Sequence, residues 1–339
     1  MQAGAHTHAV PNTFAVAVAG PLHRAQPAGD THPEPVAERD RRTQRPLDPS
    51  PMAIPGLAPS SLDWRLQSII GVLTVAAAIV LLVRYRGRAL IFAIAIWLLE
   101  VGLLIAGRGL TRPFVEPGHV TWLQSYIVIL LPAAGGAAVL TRLGWWRAAG
   151  FTPPRQWRRL RLLWLVGLWL LLPALSLFRG IHLDSTTAIL LTGYVVLATA
   201  TEELFYRGII LRATIGSGVV PAALISSVLF GASHINNFFA SSALEPLVIL
   251  EQIWFATVIG VFFASVRLRM NAIWPTMAAH AAWDMIPLLV FGSYALTHRP
   301  TVGGFWFATG FSVFFAAIGL FLLRGAKPSI IPLELRDGG

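Results

Sequence analysis

The 339-residue chain is 55% hydrophobic and only 12% charged, with a mean hydropathy of +0.65, whereas ordinary soluble domains carry about 25% charge. A soluble globular protein is therefore excluded, and the absence of cysteine excludes disulfide scaffolds, thiolate metal sites and thiol nucleophiles. The net charge of +10 sits mostly in short segments beside apolar runs, which reads as juxtamembrane positive charge and argues against a nucleic-acid partner.

In chain order, residues 1–60 hold 10 of the 23 prolines and no sustained periodicity, so they read as a disordered tail. The apolar run Phe14–Gly20 is too short for a secretory signal and has no basic segment before it. From Leu66 onward the apolar runs are long enough to span about 30 Å of hydrocarbon. They are Leu66–Val83, Ala89–Gly107, Val120–Leu140, Leu162–Phe178, Thr186–Ala213, Gly218–Phe239, Ala243–Val266, Asn271–Phe291 and Gly304–Leu323. Lipid offers an open backbone no hydrogen-bond partners, so each run must be a helix. The predicted fold is all-α: a polytopic transmembrane bundle of nine spans, or eight if one is re-entrant. Its parts are N-terminal helices over 66–178, a core over 186–291, a final helix over 304–323 and a C-terminal tail over 324–339.

Basic residues set the topology. Alternate connections, namely Arg84–Arg88, Thr141–Arg161, Arg207–Ser217, Arg267–Arg269 and the tail from Arg324, hold 16 of the 20 bases beyond residue 65. Arg108, Arg112, Arg179 and Arg299 fall on the other side. The positive-inside bias predicts an external N-terminus and a cytoplasmic C-terminus, in a prokaryotic plasma membrane. Within the basic side, Arg155–Arg161 is suited to anionic lipid.

An ionised side chain at bilayer depth costs about 2.5–3.5 kcal/mol on insertion scales, so each one raises a functional question. The acids within spans are Glu100, Glu202, Glu203, Glu245, Glu251 and Asp284, and the histidines are His234 and His280. Glu203 and Arg207 are one helical turn apart and can neutralise each other, while Glu202 points about 100° away. Phe230 and His234 share a face, and Gly231, Ala232 and Ser233 permit a close helix neighbour. His280 and Asp284 also share a face and could act on one ligand, metal or water. Taken singly, each motif also has a plain packing explanation. Glu100 stands alone in its span, Glu245 can reach the interface, and Glu251–Gln252 is better suited to a helix–helix hydrogen bond. A carboxylate and two imidazoles at similar depth suit a general base drawing a proton from water, with histidine orienting the water, donating to an oxyanion or holding a metal. Amide hydrolysis by an activated water is the economical reading.

The order and spacing Glu202-Glu203-Leu-Phe-Tyr-Arg207, Phe230-Gly-Ala-Ser-His234 and His280-Ala-Ala-Trp-Asp284 resemble the CPBP intramembrane proteases, the CAAX-protease and bacteriocin-processing (Abi) family. Those proteins carry EExxxR, FxxxH and HxxxN or HxxxD on neighbouring transmembrane helices. The resemblance covers about Thr186–Phe291. It implies an intramembrane endopeptidase acting on a protein or peptide with a membrane-associated segment. By carry-over, Glu202 is the base, assisted by His234, and Arg207 holds Glu203. His280 and Asp284 stabilise the oxyanion or position substrate. Asp284 stands where eukaryotic members carry Asn, and an ionised Asp is a poor oxyanion donor, so it can instead orient His280 or bind metal. Glu202, His234 and His280 would supply a His₂Glu set for a divalent ion such as zinc, although a glutamate–water mechanism needs none. Two other readings stay open: a proteolytically silent scaffold of the same family, and a proton-coupled transporter using the same residues as a relay.

Overall fold

The computed structural model describes residues 62–84, 87–115, 121–153, 157–181, 183–240, 245–292 and 301–324. The tail assigned to residues 1–60 and the chain after Arg324 lie outside them. Regular structure among the described residues is helical throughout. The long helices are α1 (Trp64–Arg84), α2 (Ala89–Thr111), α3 (Trp122–Leu143) and α4 (Leu163–Ser176), followed by α5 (Ser185–Glu203) and α6 (Val219–Ser233). The last three are α7 (Pro246–Met270), α8 (Trp274–Phe291) and α9 (Val302–Leu323). Among the described residues, eight segments are long and apolar enough to cross a membrane, and the chain is a multi-pass membrane protein. The exception is α8, whose apolar run is interrupted by His280 and Asp284.

Helix ends follow local chemistry. Asp184 caps α5, its Oδ1 accepting the Thr187 amide at 3.0 Å. That cap pulls the Asp184 carboxyl below its usual range, mainly through the Thr187 bond. The run expected to begin at Asn271 becomes helical only at Trp274, because Asn271 closes α7 in a left-handed conformation (φ 52°). Pro275 then occupies the first turn of α8, where its missing N–H costs nothing.

Helix association in lipid depends on close packing more than on hydrophobic burial. Gly71 of α1 lies directly against the Ala106 backbone of α2, where a side chain would have no room. The opposite face of α1 presents Ile69, Leu73 and Val80, all exposed, as a lipid-facing surface would. At the base-rich end, buried Arg267 donates to the carbonyls of Ala149 (Nε, 3.1 Å) and Ala148 (Nη2, 3.0 Å). Arg159, from the segment expected to meet lipid, donates to the Arg269 carbonyl at 2.9 Å. Some of the positive charge at that end therefore fastens the chain to itself.

Two apolar clusters organise the interior. One gathers Phe205, Tyr206, Ile209 and Ile210 with Ala93 and Ile96 of α2, Leu140 of α3, Phe230 of α6 and Ala256 of α7. The other joins Trp169 of α4, Phe262 and Phe263 of α7, Ala279 of α8 and Phe315 of α9. The polar residues singled out in the sequence lie where these clusters meet.

Candidate active site

The site is built around an irregularity in the fifth span. α5 does not end at Glu203 but continues as a π-helical stretch, Leu204–Ile210, before a last α-helical turn, Leu211–Thr214. All seven π-helical residues are buried. A π-helix inserts an extra residue into the hydrogen-bonded turn and is found mainly at functional positions. Here it begins immediately after the paired glutamates and contains Arg207.

The two glutamates have different surroundings. Glu203 Oε1 lies 3.0 Å from Arg207 Nη1, with both side chains fully inaccessible. Among the described residues, the guanidinium Nε and Nη2 meet no hydrogen-bond acceptor. Arg207 Cζ instead lies 4.1 Å from the centroid of Phe230 and 5.3 Å from that of Phe263, so aromatic faces take the place of water around the cation. Glu202 retains 30% of its side-chain exposure and Asp284 41%.

His280 joins the two halves. Its Nδ1 is 3.2 Å from Glu203 Oε1, and its Nε2 is 3.6 Å from Glu202 Oε2 and 3.5 Å from Asp284 Oδ2. A carboxylate only accepts, so the Nδ1–H donates to Glu203 and turns Nε2 toward the partly exposed carboxylates of Glu202 and Asp284. The ring is wedged between Phe230 and Phe263, with both centroids 5.5 Å away.

His234 is reached differently. α6 ends at Ser233, and His234 opens a 3₁₀ segment running to Phe239. Its Nδ1 lies 3.1 Å from the Phe230 carbonyl. That carbonyl can only accept, which leaves Nε2 with its lone pair available. The imidazole packs edge-on to Phe230 at 5.3 Å. Among the described residues, no hydrogen bond or ion pair ties His234 to Glu202, Glu203, His280 or Asp284; Phe230 is the shared wall. Gly231 makes the approach possible, since a Cβ there would collide with Thr257 and with the Ile253 carbonyl of α7. Asn237 further anchors the 3₁₀ segment by donating to Gln252 Oε1 of α7 at 2.7 Å, so Gln252 supplies an inter-element hydrogen bond of the kind expected for that pair.

One acid left outside the group by sequence belongs beside it. Glu100 of α2 is buried and accepts a hydrogen bond from the Tyr206 hydroxyl. The Tyr206 ring lies 5.2 Å from Phe230, which brings Glu100's partner against the ring that walls both imidazoles. Its burial in an apolar helix was a signal, but the partner is 106 residues away, which no spacing rule reaches. The π-helical turn likewise left no mark in the hydrophobic pattern.

The trio Glu202, His234 and His280 does not fit a metal site as arranged here. His280 has a carboxylate against each ring nitrogen, and His234, although its Nε2 is available, has no hydrogen bond or ion pair to Glu202 or His280 among the described residues. Among the described residues, no three His, Asp or Glu side chains converge as a ligand group.

Comparison with known proteins agrees with the motif-based resemblance. Residues 184–286 match the family model described as type II CAAX prenyl endopeptidase Rce1-like, which shows that resemblance over α5 through most of α8. The chain has no match among curated proteins and none among solved structures.

Proposed function

We propose that the chain is an intramembrane endopeptidase that hydrolyses peptide bonds in membrane-associated proteins or peptides through a glutamate-activated water. The observation that carries this reading is the contrast between a sealed Glu203–Arg207 pair and a partly exposed Glu202 on opposite sides of His280. Following the base distribution, the Arg267–Arg269 end faces the cytoplasm.

In the mechanism, water sits between Glu202 and the available Nε2 of His234. Glu202 takes one water proton as the oxygen attacks the scissile carbonyl carbon. The C=O π pair moves onto oxygen, and His280 stabilises that charge from Nε2–H. Asp284 holds the Nε2 proton before substrate arrives, while Glu203 accepts from Nδ1 and fixes the ring. When the tetrahedral intermediate collapses, the C–N bond breaks and Glu202 returns its proton to the leaving amine. The products are a carboxylic acid and an amine, and the enzyme regains its starting protonation. Arg207 and Phe230 serve by holding Glu203 and the two imidazoles.

The test is cleavage of a membrane-anchored peptide library in proteoliposomes by wild type and Glu202→Gln, each with and without a strong chelator. Wild-type cleavage that survives the chelator and falls by about 10²–10⁴-fold in Glu202→Gln supports the reading. Loss with chelator would transfer the water-activating role to a metal. A wild-type protein that binds peptides without cleaving any would favour a non-proteolytic scaffold.

A further inference from the structure

α1 lies outside the stretch that matches the family model, which begins at residue 184. Its buried residues are Gln67, Gly71 and Ala78, which share one face of the helix. Gly71 and, from α2, Gly102 and Gly109 bring the two backbones together with no room for a side chain, so α1 is held closely along α2. Gln67 is out of character on such a stripe, because an amide kept from water needs hydrogen-bond partners. Ser68 and Thr74 spend their hydroxyls on carbonyls one turn back in α1 itself, at 2.8 and 2.7 Å. Gln67 instead reaches far along the chain: its Nε2 donates at 2.9 Å to the carbonyl of Phe239, 172 residues away.

Phe239 is the last residue of the 3₁₀ segment that His234 opens, and the segment closes the membrane span that begins at Val219. A helix end leaves carbonyls with no partner in the helix, and lipid supplies none. Neighbouring spans meet these groups instead. Arg108 of α2 donates to the Asn236 side chain, and Asn237 donates to Gln252 of α7 at 2.7 Å. Gln67 takes the far end. The His234 ring is oriented locally by the Phe230 carbonyl at 3.1 Å, whereas the course of the segment that carries it is set by clasps from α1, α2 and α7.

Resting on the endopeptidase reading, we propose that Gln67 is a positioning residue for the hydrolysis. By clasping the Phe239 carbonyl it holds the 3₁₀ segment so that His234 Nε2 stays within reach of the attacking water. Gln67 acts through His234 and not on the reacting atoms, since the five residues from His234 to Phe239 cover about 10 Å at the rise of a 3₁₀ helix. The working unit thereby extends beyond the family-matched core to the first span. Hydrolysis is sensitive to such placement, because a shift of about 1 Å can cost about 10²-fold in rate.

The experiment compares wild type, Gln67→Met, His234→Gln and the double variant, each as the full chain in proteoliposomes with a membrane-anchored peptide that wild type cleaves. Hydrogen exchange over residues 234–240 is followed alongside, with residues 222–230 of α6 as the internal control. Methionine matches glutamine in length and suits lipid but cannot donate. We expect kcat of Gln67→Met to fall about tenfold with KM little changed, less than the loss for His234→Gln because Arg108 and Gln252 still hold the segment. Exchange over 234–240 should rise while α6 stays protected. In the His234→Gln background the same substitution should cost less than about twofold, because the imidazole through which Gln67 acts is gone. If Gln67→Met fails to fold, the same comparison is made with Gln67→Asn, whose shorter stem withdraws the amide from the carbonyl. An equal loss in both backgrounds overturns the proposal, since it marks a residue that merely supports the bundle. So does a rise in KM at unchanged kcat, or a wild-type kcat in Gln67→Met whatever the exchange shows. If wild type cleaves nothing, the endopeptidase reading falls and exchange still tests the clasp. Faster exchange over 234–240 then keeps Gln67 as the anchor of the segment, and unchanged exchange overturns both.

Discussion

Glu202 and Glu203 are adjacent in the chain, yet the side chain of one is partly exposed and that of the other is fully buried against Arg207. The sealed region is a structural device. A buried cation–carboxylate pair has already lost its hydration, and the aromatic faces of Phe230 and Phe263 stand in for part of it around Arg207. On the partly exposed side Glu202 and Asp284 flank Nε2 of His280, and the same imidazole is tied to the sealed side through its Nδ1–H to Glu203. Rigidity and access are thus divided between two neighbouring residues, with an imidazole joining them.

Breaking the sealed side should have the largest effect. Arg207→Ala strands Glu203 without its counter-charge and should cost about 3–5 kcal/mol, measured by unfolding in detergent. Replacing both Glu203 and Arg207 with leucine should be less destabilising than Arg207→Ala alone, because no buried charge remains. A double variant as unstable as the single one would show that shape, and not charge, dominates this side.

On the open side the expected loss is in rate. His234→Gln keeps a polar side chain but removes the imidazole Nε2, and cleavage should fall about 10²-fold. Stability should stay within about 0.5 kcal/mol. Thermal melts alongside the kinetics check that separation, and a matching drop in melting temperature would place His234 with the sealed group instead.

The sequence made much of this contrast legible, although not all of it. Apolar runs located the nine long helices of the described residues, eight of them long and apolar enough to cross a membrane, because lipid leaves the backbone no alternative to a helix. One-turn spacings correctly paired Glu203 with Arg207 and His280 with Asp284, since those contacts are local. What spacing could not reach were contacts between distant spans. Glu100 looked solitary because its partner Tyr206 lies on another helix, and His234 looked mid-helical although α6 stops just before it. The π-helical stretch after Glu203 was equally hidden, because buried apolar residues on every face leave no periodic stripe to reveal a change of turn.

The Glu100–Tyr206 contact provides a smaller test of the sealed side. Tyr206→Phe removes the hydroxyl that Glu100 uses and should cost about 1–3 kcal/mol through the unsatisfied buried acceptor. Glu100→Gln, which can still accept that hydrogen bond, should cost less, and equal losses in unfolding would contradict the pairing. The smallest effect lies outside the membrane segment, at the Asp184 cap. Its carboxyl sits below the usual range because it accepts from Thr187. The cap's contribution is therefore present above the unfolded-state pKa of about 3.9 and is lost as pH falls through the lower folded-state value. Hydrogen exchange at Thr187 should accelerate, relative to the intrinsic rate, only in that acidic range, and Asp184→Ala should abolish the pH dependence.

The most direct test of the division of labour compares Glu202→Gln and Glu203→Gln in the same detergent, reading peptide cleavage and unfolding stability together. The account predicts a Glu202→Gln protein as stable as wild type, within about 0.5 kcal/mol, but almost without activity. It predicts a Glu203→Gln protein destabilised by several times that amount, because buried Arg207 loses its counter-charge. Two variants that lose activity while both keep wild-type stability, or a Glu202→Gln protein that still cleaves at the wild-type rate, would contradict it.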